Sequence, residues 1–158
     1  MMKRAVFPGS FDPFTKGHME VLISALRLFD QIIVAVGQNV QKKGYFTVDQ
    51  RLQIIKMATK GLDNVEVSSY GGLTVEFCKK AGADFIIRGL RTTTDFELET
   101  VIAQANSKLA PDITTVFIPA GNELSFISST VVRDVLENGG DVKQFLPPGV
   151  ELEKIAGE

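Results

Sequence analysis

Cysteine is almost absent from this chain. Cys78 is the single one, so no internal disulfide can form, and no Cys/His spacing around it suits a zinc site. That points to a reducing compartment. Long apolar runs are missing as well: after the basic pair Lys3-Arg4, only Ala5, Val6 and Phe7 precede Pro8, far short of a signal-peptide core or a spanning helix. The expectation is a cytoplasmic protein that engages no membrane. Nor is there an excess of one charge. The 17 basic and 19 acidic residues leave a net charge of −2, which argues against nucleic acid as a partner while leaving room for a local basic pocket. Repeats, low-complexity tracts and linker-like stretches are also lacking, so residues 1–158 are expected to form one domain. Hydrophobic residues make up 44% of the chain, enough for its core.

What is present alternates in type. Short β-branched runs at residues 5–7, 32–36, 65–67, 85–87 and 114–118 have the length of buried strands. Between them lie helical spacings. Val21, Leu22, Ala25, Leu26 and Phe29 gather on one face; Thr47 with Gln50 makes a capping box ahead of Leu52, Ile54, Ile55 and Met57. Further helices are expected at residues 75–80, from about 95 to 109, and at 129–137, where Asn138-Gly139-Gly140 stops the last. Pro147-Pro148-Gly149 reads as a turn into a short terminal helix. The expected fold is a single-domain, Rossmann-like, doubly wound α/β fold with a five-stranded parallel sheet. Ligands of such sheets sit beyond the carboxyl ends of the strands.

The segment 8–18, Pro-Gly-Ser-Phe-Asp-Pro-Phe-Thr-Lys-Gly-His, follows the first strand directly and ends where a helix begins. Its glycines allow close backbone approach, and a helix N-terminus offers N–H groups and a positive dipole to phosphate. His18, placed there, can donate to a phosphate oxygen as charge develops during transfer. For a histidine in isolation a helix cap is the better reading, and the position directly after the first strand reverses it. The patterns G-x-G-x-x-G after a strand and G-x-x-x-x-G-K-[ST] are both missing, which disfavours dinucleotide oxidoreductases and P-loop hydrolases. Two more elements carry anion chemistry. Arg88-Gly89-Leu90-Arg91 closes the fourth strand and precedes Asp95-Phe96-Glu97-Leu98-Glu99, while Ile127-Ser128-Ser129-Thr130-Val131-Val132-Arg133 opens a late helix.

These elements together resemble one family. Thr15-Lys16-Gly17-His18 resembles the [HT]-x-G-H signature of the adenylyl- and cytidylyltransferase superfamily, and residues 127–133 resemble its I-S-S-[ST]-x-[VI]-[RK] signature. The longer string at 8–18, and I-R-G-[LI]-R followed by D-[FY]-E-x-E at 86–99, are similar to the phosphopantetheine adenylyltransferase family, over nearly the whole chain. Ser10 stands where many members have threonine, and keeps the hydroxyl.

The resemblance implies reversible transfer of an adenylyl group from ATP to 4′-phosphopantetheine, by direct attack without a covalent intermediate. It implies catalytic roles for His18 and Lys42, and acceptor contacts from Ser10, Lys42, Thr74 and Arg88. ATP contacts are implied at Ser10, Phe11, His18, Gly89, Leu90, Arg91, Glu99, Leu124, Ser125, Phe126, Ile127, Ser128, Ser129 and Thr130. Mg2+ is expected with ATP and held by phosphate oxygens and water, with no metal site of the protein's own. A homohexamer and feedback binding of coenzyme A are implied too. Another adenylyl- or cytidylyltransferase, or a nucleotide-sensing module without turnover, remains the alternative.

Overall fold

The computed structural model describes residues 2–39, 41–121 and 123–156. Five strands, β1 (Arg4–Gly9), β2 (Gln31–Gly37), β3 (Val65–Tyr70), β4 (Phe85–Leu90) and β5 (Thr114–Pro119), alternate with α1 (Lys16–Leu26), α2 (Val48–Ala58), α3 (Thr74–Ala81) and α4 (Thr93–Leu109). Helix α5 (Ser129–Glu137) and two single 3-10 turns, Lys143–Phe145 and Leu152–Lys154, complete the chain. The sheet is parallel throughout, in the order β3-β2-β1-β4-β5.

Strand alternation sorts the core into two layers. Ala5, Phe7, Ile32, Val34, Val36 and Ile87 face Leu22, Ile54, Ile55 and Val132, and so meet α1, α2 and α5. Val6, Ile33, Ala35 and Ile86 point the other way, toward Val75 and Cys78 of α3 and Ala110 and Ile113. Both faces of the sheet are covered, which is why its strands read as near-continuous apolar runs.

The boundaries moved where backbone partners, not side chains, decided. β1 runs on through Pro8 and Gly9, residues the sequence placed in the following loop, because β2 pairs with it as far as Gly9 opposite Val36. Helix α1 begins at Lys16, two residues before His18, and it ends at Leu26. Phe29 is buried in the turn beyond it. The expected short terminal helix is one 3-10 turn. The Thr47–Gln50 capping box is present as expected, and Gly139, with φ of 77°, follows the Asn138 cap of α5.

One irregularity makes the site. β1 and β4 pair through just two rungs, Ala5 with Phe85 and Val6 with Ile86, and then part. This is where the strand order reverses, so a crevice opens at the carboxyl ends of both strands.

Candidate active site

The opening between β1 and β4 exposes carbonyls that no neighbouring strand can take. Arg88 of β4 takes one: its Nη1 donates to the Pro8 carbonyl at 2.7 Å. Nε and Nη2 of the same guanidinium donate to the two carboxylate oxygens of Glu99 at 2.7 and 2.9 Å. This fork-to-fork pair holds the guanidinium in one plane across the crevice, with donors still unused. Pairing with the acidic run thus builds a wall of the crevice.

Two cavities meet at that wall. One, of about 290 Å³, is lined by Phe7 to Phe11, Thr15, Gly17, His18, Val21, Arg88 to Arg91, Asp95, Glu99, Ala120, Ile127 to Thr130 and Arg133. The other, of about 360 Å³, is lined by Gly37, Gln38, Asn39, Tyr70, Gly72, Thr74, Ile86, Ile102, Ala103, Asn106 and Thr115. Pro8, Gly9, Ser10, Arg88 and Glu99 line both.

His18 is the third residue of α1 and closes a capping box with Thr15. The Thr15 backbone N–H donates to its Nδ1 at 2.9 Å, and the Thr15 hydroxyl oxygen accepts from the His18 backbone N–H at 3.4 Å. Because Nδ1 is an acceptor, the ring proton sits on Nε2. Phe14 stacks on the imidazole at 5.4 Å between centroids, and Phe11 meets it edge-on at 5.0 Å. Burial among these rings, then the charges of Arg91 and Arg88, hold its pKa far below the usual 6.5, at about 3. The imidazole is therefore a neutral Nε2–H donor at physiological pH. Capping and ligand contact, weighed as alternatives from sequence, use different nitrogens of one ring.

Glycines permit the close approaches. A Cβ on Gly9 would meet the Phe11 ring at 3.0 Å, and Phe11 itself has a positive φ of 45° that turns its ring back over Gly9. A Cβ on Gly89 would stand 2.8 Å from Cγ2 of Val21, so α1 can lie against β4 only with glycine there.

Helix α5 brings the last wall. Ser128 is its cap, accepting from the Val131 N–H at 3.2 Å, and Ser129 donates through its hydroxyl to the Pro13 carbonyl at 2.8 Å. All three hydroxyls expected to meet phosphate have a partner within the protein, Thr130 through Arg133. The first N–H groups of the helix, at Ser129 and Thr130, have no partner within it, and both residues line the first cavity. Arg133 joins them, donating to the Asp12 carbonyl at 2.8 Å and to Thr130 Oγ1 at 3.2 Å.

Most of the residues expected from sequence come together: Ser10, Phe11, His18, Arg88, Gly89, Leu90, Arg91, Glu99, Ile127, Ser128, Ser129 and Thr130 line the first cavity, and Thr74 the second. Leu124, Ser125 and Phe126 form the turn ahead of Ile127 and line neither. Lys42 and Lys43 are both exposed on the loop after β2, outside either lining. Sequence reasoning quoted Asp12, Thr15 and Arg133 as members of motifs without a role of their own, and gave none to Arg51 or Tyr70. Arg51 had a detectable signal, since it shares a helical face with Ile54, Ile55 and Ala58, where a charge is out of place.

A parallel sheet that opens at its order reversal, with a histidine-bearing helix start and basic strand ends around it, defines the nucleotidyltransferase class. The family described as cytidylyltransferase-like matches residues 6–135. A phosphopantetheine adenylyltransferase from Cytophaga hutchinsonii is 51% identical over 147 residues, covering 93% of this chain and 98% of its own length. One from Flavobacterium psychrophilum is 47% identical over 152 residues, 96% of this chain and all (100%) of its own. The chain belongs to the phosphopantetheine adenylyltransferase family. Solved structures agree on the fold: a bifunctional NMN adenylyltransferase/ADP ribose pyrophosphatase from Francisella tularensis aligns over 92% of this chain and 45% of its own, with a TM-score of 0.71 at 20% identity. A Vibrio parahaemolyticus protein assigned as a nicotinate-nucleotide adenylyltransferase aligns over 94% and 95%, with a TM-score of 0.69 at 23% identity.

Proposed function

We propose that this chain, acting as one domain, transfers the adenylyl group of ATP reversibly to the phosphate of 4′-phosphopantetheine, giving dephospho-coenzyme A and pyrophosphate. The observation that carries this reading is the shared wall. Two cavities that meet at Ser10, Arg88 and Glu99 let a donor in one and an acceptor in the other present their phosphates to each other.

The step is a single displacement. An acceptor phosphate oxygen forms the new bond to the α-phosphorus as the bond to the α,β-bridging oxygen breaks, and pyrophosphate leaves with the electron pair. The acceptor phosphate is already anionic near neutral pH, so no residue need remove a proton. His18 donates through Nε2–H to α-phosphate oxygens, where charge grows in the transition state. Arg91 and the first N–H groups of α5 take the β- and γ-phosphates. Ser10, Thr74 and Arg88 orient the acceptor, and Lys42 closes over the reacting phosphates from its loop. Glu99 acts by holding Arg88. Residues 124–126 contribute by presenting Ile127 and the start of α5.

Mg2+ bound to the triphosphate would be held by phosphate oxygens and water, and would neutralise part of its charge. The fit rests on the chemistry of the carboxylates at the site. Asp95 and Glu99, the carboxylates lining the nucleotide cavity, are already engaged by the Arg91 and Thr92 N–H groups and by Arg88.

The setting proposed is cytoplasmic, where ATP is abundant; no helix among the described residues is long and apolar enough to cross a membrane. A homohexamer is proposed as the assembly. Helix α4 supports an oligomer, since it buries no residue within the chain and exposes Phe96, Leu98, Val101, Ile102 and Leu109. Coenzyme A, which contains the acceptor, is proposed to compete for the second cavity.

Purified chain with ATP, Mg2+ and candidate acceptors tests the reading. Pyrophosphate release with 4′-phosphopantetheine and with no nicotinate or nicotinamide mononucleotide supports it. Release with a mononucleotide alone would assign another branch of the superfamily, and release with none would leave a nucleotide sensor.

A further inference from the structure

Outside both cavities lies a buried ion pair that the proposed mechanism does not use. Asp12 and Arg51 are 5% and 8% exposed, and Arg51 Nε lies 3.4 Å from Asp12 Oδ1. Burying two charges seldom stabilises a fold more than apolar side chains of the same volume would, because each loses its hydration. Such a pair is better explained by the register it imposes.

Here the register is between two loops. The carboxylate of Asp12, in the loop after β1, accepts from the backbone N–H groups of Tyr45 at 2.8 Å and Phe46 at 2.9 Å, in the loop after β2. Arg51 answers from α2. Its Nε donates to the Phe46 carbonyl at 3.0 Å, and its Nη1 donates to the Ser10 carbonyl at 3.2 Å. A Cβ on Gly44 would fall 1.7 Å from Arg51 Nη2, so the glycine is needed for the guanidinium to pass.

Among the described residues of the loop between Gln38 and Thr47, Phe46 packs against the core. Among its described residues, Gln41 and Lys42 bond back to Asn39 within the loop, and every hydrogen bond that leaves it runs to Asp12 or Arg51. Lys42 sits just ahead of that anchor. Ser10, at the other end of it, lines both cavities.

We propose that Asp12 and Arg51 are positioning residues for the acceptor phosphate: together they fix Lys42, through Tyr45 and Phe46, against Ser10. Neither touches substrate. The inference rests on the reading of Lys42 and Ser10 under the proposed function. It requires that disturbing the pair weaken the acceptor selectively, and only while Lys42 is present.

Calorimetric binding of 4′-phosphopantetheine and of ATP to the full chain provides the test, with Asp12→Asn, Arg51→Lys, Lys42→Ala and the Asp12→Asn/Lys42→Ala double variant. Loss of charge-assisted hydrogen bonds is expected to weaken acceptor binding about tenfold in Asp12→Asn and in Arg51→Lys, with ATP binding within about twofold. In the Lys42→Ala background, Asp12→Asn should cost less than about twofold. Equal losses for both ligands, multiplicative losses in the double variant, or failure of both single variants to fold would overturn the proposal in favour of a purely structural brace. Failure of the wild-type chain to bind 4′-phosphopantetheine at all would instead sink the acceptor assignment.

Discussion

The backbone N–H of Thr15 donates to Nδ1 of His18 at 2.9 Å, and that one contact decides which end of the imidazole can act. It completes the N-terminal cap of α1 and leaves the proton on Nε2. His18→Ala is expected to lower kcat by about 100-fold or more, with ATP affinity changed less than about threefold, because the contact strengthens in the transition state. Steady-state kinetics beside equilibrium ATP binding separate the two effects. Near-normal turnover would remove His18 from the mechanism.

His18 is the only histidine, so its ring resonances need no assignment. With its pKa at about 3, they should not titrate between pH 5 and 8, and kcat should show no histidine inflection there. Stability follows the same sign. The folded-state value lies below the unfolded one, so the unfolded chain binds the proton first as pH falls. The contribution is complete above about pH 6.5 and is lost progressively toward about pH 3. Urea midpoints of wild type and His18→Ala should converge across that window.

Under the proposed mechanism, Glu99 acts on both substrates through Arg88. Glu99→Gln keeps the shape but removes the charge that aligns the guanidinium across the shared wall. Both KM values should rise, by about threefold to tenfold, as expected for loss of a charge-assisted, bidentate pair at a partly exposed site. A change confined to ATP would make Glu99 a nucleotide contact in its own right.

Gly89→Ala should destabilise the fold by about 1–3 kcal/mol, since the new methyl meets Val21 Cγ2 at 2.8 Å. Val21→Ala in the same chain should restore part of the loss. Thermal unfolding of the two single variants and the double variant measures it, and additive losses would show that α1 and β4 do not meet there as described.

Lys42→Ala is expected to raise the acceptor KM by about tenfold or more, and Lys43→Ala by less than about twofold, as for an ordinary solvated surface charge. Both lysines are exposed, so the contrast is a test of position and not of burial. Equal small effects would return both to the surface.

How much of this was legible beforehand depended on distance along the chain. Caps and strands are local: Thr47 with Gln50, and the β-branched runs, name their own structure from side chains a few residues apart. The neutral tautomer of His18 was half legible, since Thr15 and His18 have capping-box spacing, but Phe11 and Phe14, whose burial of the ring depresses its pKa, signal only an apolar patch until packed. Leu124 to Phe126 and Lys42 entered through resemblance, and they line neither cavity.

The sequence by itself determined the five strands, the five helices and the basic and hydroxyl-bearing segments at their ends, because periodicity and capping are set by neighbours. Only the tertiary structure decided that β1 and β4 part after Val6 and Ile86, that Arg88 spans the gap to Pro8 80 residues away, and that Asp12 and Arg51 lock one loop to another. Those contacts depend on how layers stack. A carbonyl freed from a sheet, or a charge removed from water, acquires its partner from whichever distant element packing brings within reach.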